Sequence, residues 1–188
     1  KYVMVMRDFK SGYFKLKMLR TKDQVAAAMK EAIEELRAAP RYKLPKDCGY
    51  RLVSELRCDP AGEQRNDNRE WIKMCQDMEV RTEWSDPTDK RSDGFAEQAI
   101  KMIELSGKSI MASNATPSNW WEPCYSQGAE IRNHVPMTKN VVSGDGDAIT
   151  PIEELSWGRV SRRMCHRYMN HLVTCGTPCH VSQKPEAT

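Results

Sequence analysis

The sequence predicts an α/β fold, a mixed sheet with helices on its faces, and three observations carry that expectation. Two strand-like runs stand at the start, "YVMVM" (2–6) and "YFKLKML" (13–19), joined by the short hairpin connection "RDFKSG" (7–12). A segment of helical period follows, in which Val25, Ala28, Met29, Ala32, Ile33 and Leu36 recur behind a capping-box signature at Thr21 and Gln24. After it, strand-type and helix-type segments alternate, and that order places helices against a sheet.

Each element has its own signal. The continuous apolar run at 2–6 suits a strand buried on both faces. The second run alternates strictly, with Phe14, Leu16 and Met18 inward and Lys15 and Lys17 outward. Pro40 closes the first helix, and 41–49 is a loop bearing Lys and Pro. "YRLVSELRC" (50–58) alternates again, with Tyr50, Leu52, Leu56 and Cys58 on one face and Arg51, Val53, Glu55 and Arg57 on the other. It ends on a carboxylate, Asp59, followed by a Pro-Ala-Gly turn. Asn68 caps a second helix carrying Trp71, Ile72, Cys75 and Met78 inward, and "EVRTEW" (79–84) is a short strand. A polar loop spans 85–94, and Ser92 or Asp93 starts a third helix with Phe95, Ala99, Met102 and Ile103 inward. A fourth helix lies within 117–136 between two prolines, weakened internally by Pro123 and Gly128. Residues 137–148, with "SGDGDA", form a linker. The extension 149–188 holds a short helix at Pro151–Leu155 and a strand near His180–Val181.

The 188 residues, 39% apolar and 29% charged, suffice for one domain with a real core plus that extension. No apolar run approaches the roughly 18–20 residues of a membrane span, so no membrane partner is expected. A net charge of +3 is only a weak argument for nucleic acid. Seven cysteines, an odd number at irregular spacing, disfavour a disulfide framework and point to a reducing compartment, the nucleus or cytoplasm.

Two carboxylates form the candidate site. Asp59 follows a strand end, where open α/β sheets place ligands, and Glu97 is expected in the first turn of the third helix. One helix and one short strand between them can return the chain to the same end of the sheet. Converging there, the two acids could hold divalent cations that bind phosphate oxygens. An Asp after a strand is also a common turn former, and a Glu in a first turn also complements the helix dipole. Spacing alone leaves both readings open. Lys101, one turn beyond Glu97, is an ion-pair partner for it or a phosphate contact, and Lys90 and Arg91 are solvated charges or DNA contacts.

Several stretches together carry a family resemblance. "RDFKSGYFKLKML" resembles an Asp-(aromatic)-Ser hairpin, and "LRCDPAGEQ" a Leu-Arg-Ser-Asp-Asn-Gly-Gly-Glu-Phe stretch. "SDPTDKRSDGFAEQAIK" resembles a Ser-x-Pro…Asn-Gly-Val-Ala-Glu-Arg segment. "PSNWWEPCYSQGAEIRNHVP" resembles a helix running from Phe-Trp to Asn-Arg-x-Pro, and "TPIEEL" and "HLVTCGTPCHV" resemble two segments downstream of it. In this order they resemble the integrase catalytic core of retrotransposons, the copia-type branch above all, and more distantly retroviral integrase.

The resemblance implies a ribonuclease-H-like fold over 1–136. It implies a polynucleotidyl transferase that joins element DNA 3′ ends to target DNA as a homo-oligomer. It also implies an Asp-Asp-Glu triad binding Mg²⁺ or Mn²⁺. The second Asp falls on Asp59 and the Glu on Glu97, while the first, with its central strand, falls upstream of Lys1. A sheet lacking that strand is expected to be marginally stable, because two inner edges lie unpaired.

Asp8 is a poor substitute for the first Asp, since its position suits holding the hairpin turn. The chain departs from the family pattern at Pro60 and Ala61, at Arg91-Ser92-Asp93, and at Gln98 and Ile100. Those departures keep a second expectation in view, a decayed or domesticated module that binds DNA or protein without catalysis. Cys165, His166, His171, Cys175, Cys179 and His180 are zinc-ligand types, but their spacing fits no standard zinc motif. Trp120 and Trp121 read as core rather than a base-stacking platform.

Overall fold

The computed structural model describes residues 1–39, 52–58, 68–84, 90–136 and 148–170, the side chains of 90–93 excepted. Strands β1 (Tyr2–Arg7) and β2 (Phe14–Leu19) pair antiparallel, with Val5 opposite Leu16. The hairpin between them is held by Asp8. Its carboxylate accepts from the Ser11 N–H at 2.6 Å and the Ser11 hydroxyl at 2.7 Å, and its carbonyl accepts from the Gly12 N–H at 2.9 Å. Gly12 takes a left-handed φ of 76°, which a side chain would resist. Asp8 therefore shapes the turn, as its position suggested.

Helix α1 (Val25–Ala38) buries Ala28, Met29, Ala32, Ile33 and Leu36, the stripe its period predicts. At its entry Gln24 reaches back to accept from the Arg20 N–H at 2.9 Å. Against expectation, Lys15 and Lys17 of β2 do not point to open solvent. They lie over α1, where Lys15 meets Glu35 at 2.6 Å and Lys17 meets Glu35 at 2.6 Å and Glu31 at 3.1 Å. The two lysines hold the Glu35 carboxyl below its ordinary range. β1 is less buried than an all-apolar strand predicts, and Met4 alone is fully covered.

Strands β3 (Glu55–Cys58) and β4 (Arg81–Trp84) pair in parallel across helix α2 (Arg69–Asp77). Asn68 caps α2 through the N–H groups of Glu70 and Trp71, and Trp71 and Met74 face inward. Ile72, expected inward, is exposed. β3 keeps the predicted alternation, Leu56 and Cys58 in and Glu55 and Arg57 out, but it is shorter than 50–58. The cause is Arg37 of α1. Its guanidinium donates to the carbonyls of Leu52 (2.9 Å), Val53 (2.8 Å) and Met78 (2.9 Å). Those acceptors are removed from any ladder, and Val53 is bent to a φ of 57°.

The expected single mixed sheet is two separate two-stranded sheets among the described residues. They share one core. Met4 and Leu19 from the first, and Leu56 and Cys58 from the second, pack with Met29, Ile33, Trp71 and Met74. The opposite face of β1–β2 is covered by α3 (Lys90–Ser113) and α4 (Trp121–His134), where Phe14, Ala99, Ile103 and Ala129 meet beside Val5 and Leu16. Asn133 of α4 is fully buried and closes β2 there, accepting from the Phe14 N–H at 2.7 Å and donating to its carbonyl at 2.9 Å. Beyond them α5 (Pro151–Leu155) and α6 (Arg162–Asn170) bring Ile152, Val160 and Cys165 against Tyr13 and Leu36. The strand expected near His180 lies outside the described residues.

Glycine sets the crossing of α3 and α4. A Cβ on Gly107 would stand 2.0 Å from Cδ1 of the Tyr125 ring, and one on Gly128 would stand 2.9 Å from Cβ of Ser106 and 3.3 Å from the Gly107 nitrogen. Gly128 is thus a contact surface more than a weak point. Pro123 is in the first turn of α4, where proline costs little. Gly107→Ala is expected to destabilise by about 1–3 kcal/mol through forced separation of the helices. A urea melt showing no loss of stability would disprove the contact.

Candidate metal and nucleic-acid site

α3 starts at Lys90, earlier than the expected Ser92 or Asp93. The residues 90–93 contain no helix breaker, and Gly94 weakens a helix by about 1 kcal/mol without ending it. The consequence is positional. Lys90 and Arg91 occupy the first turn of α3 rather than a loop, and Glu97 sits about two turns in. The side chains of Lys90 and Arg91, and all of Asp59, lie outside the described residues. Asp59 follows β3, whose last residue, Cys58, pairs with Trp84.

The start of α3 is tied to the hairpin end of β1. Arg7 donates from Nη1 to Gln98 Oε1 at 3.3 Å, and its guanidinium lies 4.4 Å from the centre of the Phe95 ring. Phe9, exposed at the hairpin, stacks at a tilt on Phe95 with ring centroids 5.2 Å apart. Burial, and then repulsion from Arg132, lower the proton affinity of Arg7. These contacts fix the backbone on both sides of Glu97, leaving its own side chain out in solvent.

The Glu97 side chain is 66% exposed and, among the described residues, ion-pairs with Lys101 at 3.8 Å one turn on, itself 72% exposed. The structure thus brings Glu97 and Lys101 together. A loose ion pair on an exposed helix face leaves the carboxylate oxygens accessible, and hard oxygen donors are what Mg²⁺ and Mn²⁺ take. Among the described residues no three His, Cys, Asp or Glu side chains gather as a metal cluster. Glu97 offers one exposed oxygen donor of that kind.

Other candidates take bland places. Cys58 is a core thiol, pushed up to about 12 by burial and the nearby Cys75. Of the zinc-type residues, Cys165 is buried beside Thr150, His166 is exposed, and the rest lie outside the described residues. The core reading of the tryptophan pair is corrected. Trp120 is half exposed, because it precedes α4 in a short 3₁₀ turn, while Trp121 packs edge-on against Tyr125. The sequence reading missed Arg37 and Asn133, which position the frame rather than a ligand.

No family model and no curated protein matches the sequence. Solved structures do match. One is a chain of the simian T-cell lymphotropic virus intasome in complex with the PP2A regulatory subunit B56 gamma, with a TM-score of 0.55 at 17% identity over 99% of this chain. Another is the catalytic core domain of BIV integrase, with a TM-score of 0.52 at 14% identity over 86% of this chain and 89% of that one. The fold is that of a retroviral integrase catalytic core. This integrase-core fold spans about half, 53%, of the intasome chain. At such identities the likeness concerns architecture, and chemistry must be argued from the residues.

Proposed function

We propose that this chain is the catalytic core of a metal-dependent polynucleotidyl transferase that joins retroelement DNA 3′ ends to target DNA. The sequence pattern resembles that of the copia-type retrotransposon branch. The observation that carries the reading is Glu97, an accessible carboxylate on α3 of an integrase-core fold, in the segment whose sequence resembles the family's Glu helix. Asp59 and Glu97 would hold Mg²⁺ or Mn²⁺, which when bound stabilises the attacking and leaving oxygens of an in-line displacement. Lys101 shares its cation between Glu97 and a DNA phosphate, and Lys90 and Arg91 add phosphate contacts from the first turn of α3. A homo-oligomer acting on element ends and target DNA completes the proposal. A nuclear or cytoplasmic setting suits the thiols Cys58, Cys75 and Cys165, which form no disulfide among the described residues. Among the described residues no helix is long and apolar enough to cross a membrane.

A second reading, a module that keeps the fold and DNA or protein binding without chemistry, is favoured by Pro60, which removes an N–H from the turn after Asp59. Strand transfer with Mn²⁺, measured on the chain extended upstream through the segment to which the resemblance assigns the first Asp, separates the two. Asp59→Asn and Glu97→Gln are each expected to lower the rate by about 100-fold or more, the scale of losing one electrostatic stabiliser at a reacting phosphate. Mn²⁺ is expected to bind more tightly than Mg²⁺, and Glu97→Gln to weaken both, by calorimetric titration. Activity that survives both substitutions ends the catalytic reading. A chain that binds DNA but transfers no strands supports the module.

A further inference from the structure

The charge of the chain is not spread evenly. Residues 156–170, "SWGRVSRRMCHRYMN", hold four arginines and no Asp or Glu, a contribution of +4. The whole chain carries +3, so the remaining residues sum to −1. Helix α6 sorts this charge by face. Cys165 is 2% exposed, Tyr168 stacks on His134 with centroids 4.0 Å apart, and Arg162 donates to the Ala148 carbonyl at 3.0 Å. The opposite face, with Arg163, Met164, His166, Arg167 and Asn170, is exposed.

Arg163 and Arg167 are four residues apart, on one face about 6 Å apart along the axis. Neither ion-pairs with a carboxylate among the described residues, and like charges at that spacing repel within a helix. A turn that feeds α6 adds to the surface. Trp157 is held in left-handed backbone at a φ of 55°, with its ring exposed and the Lys10 ammonium 5.1 Å from its centre. Strain retained at an exposed aromatic calls for a role outside the core.

We propose that the exposed face of α6 is a nucleic-acid surface, additional to Glu97 and Lys101, that binds the phosphate backbone of duplex DNA. The choice of nucleic acid among polyanions rests on the integrase-like reading; the surface itself does not. Two arginines about 6 Å apart can each reach a separate phosphate of a duplex whose strands carry one charge per about 3.4 Å of axis. An anionic bilayer is a worse occupant, since an interfacial helix inserts its apolar face and that of α6 is already buried against α4 and the core.

The test uses the full 188-residue chain, with duplex DNA binding followed by fluorescence anisotropy across a salt series. Arg163→Gln/Arg167→Gln is expected to lower the slope of log affinity against log salt by about two and to weaken binding roughly tenfold near 0.1 M salt. Arg163→Lys/Arg167→Lys is expected to retain most of the slope, and circular dichroism checks that each variant is folded. If the Gln pair leaves DNA affinity and slope unchanged, the proposal is overturned. It is equally overturned if the pair weakens binding only to phosphatidylserine–phosphatidylcholine vesicles or to polyglutamate. Loss of slope in the Gln pair of a chain that never transfers strands would defeat the catalytic reading and leave this surface standing.

Discussion

Arg37→Met is expected to lower the stability of the folded chain by about 3–5 kcal/mol, by removing charge-assisted bonds worth roughly 1.5–3 kcal/mol each and leaving acceptors unpaired. Arg37 holds three carbonyls, those of Leu52, Val53 and Met78. It thereby joins the end of α1 to the approach of β3 and the exit of α2. Methionine keeps the stem and the packing, so the loss isolates the guanidinium. Lysine offers a single ammonium where the guanidinium presents a planar fork, so Arg37→Lys should recover only a minor part. Urea unfolding followed by tryptophan fluorescence reads both variants. A loss for Arg37→Met below about 1 kcal/mol would show that the carbonyls find other partners.

Asn133→Leu is expected to cost about 2–4 kcal/mol, because it leaves a buried donor and a buried acceptor of Phe14 unsatisfied at about 1–3 kcal/mol each. The two bonds replace a missing strand partner at one point of β2, so the damage should concentrate there. Amide exchange at Phe14 is expected to accelerate well beyond that at residues in hydrogen-bonded pairs of the β1–β2 ladder, such as Lys15 opposite Met6. Uniform acceleration along β2 would instead mean that Asn133 acts through general packing.

What the sequence disclosed follows from where its information lies. Local signals were reliable: the stripe of α1, the Asn68 cap, the short helix at Pro151–Leu155, and the turn at Asp8. Each depends on residues within a few positions of one another. The failures were tertiary. Lys15 and Lys17 alternate as solvent residues do, and only the arrival of Glu31 and Glu35 from α1 covers them. Gly128 reads as a helix weakness until α3 is seen to cross there. Arg37 and Asn133 left a trace, each a polar residue on an apolar row: Arg37 after Met29 and Ile33, Asn133 after Ala129. A polar side chain in such a row implies a buried partner, and the partners lay 15 to 119 positions away. Of the candidate site, the helix carrying Glu97 was legible and its starting point was not, because Lys90 and Arg91 give no capping signal.

The glycine crossing of α3 and α4 makes α3 a lever. Gly107 is the pivot, and Glu97 stands ten residues away, roughly 15 Å along the axis. A tilt of about 5° at the crossing would swing that carboxylate by about 1.3 Å, enough on the scale of catalytic positioning to change a rate by about two orders of magnitude. Arg7 and Phe9 brace the far end against this swing. Substitutions at Ser106, Tyr125 or Gly128, none of them near a reacting group, are therefore routes by which selection could tune or silence the carboxylate while leaving its immediate surroundings untouched.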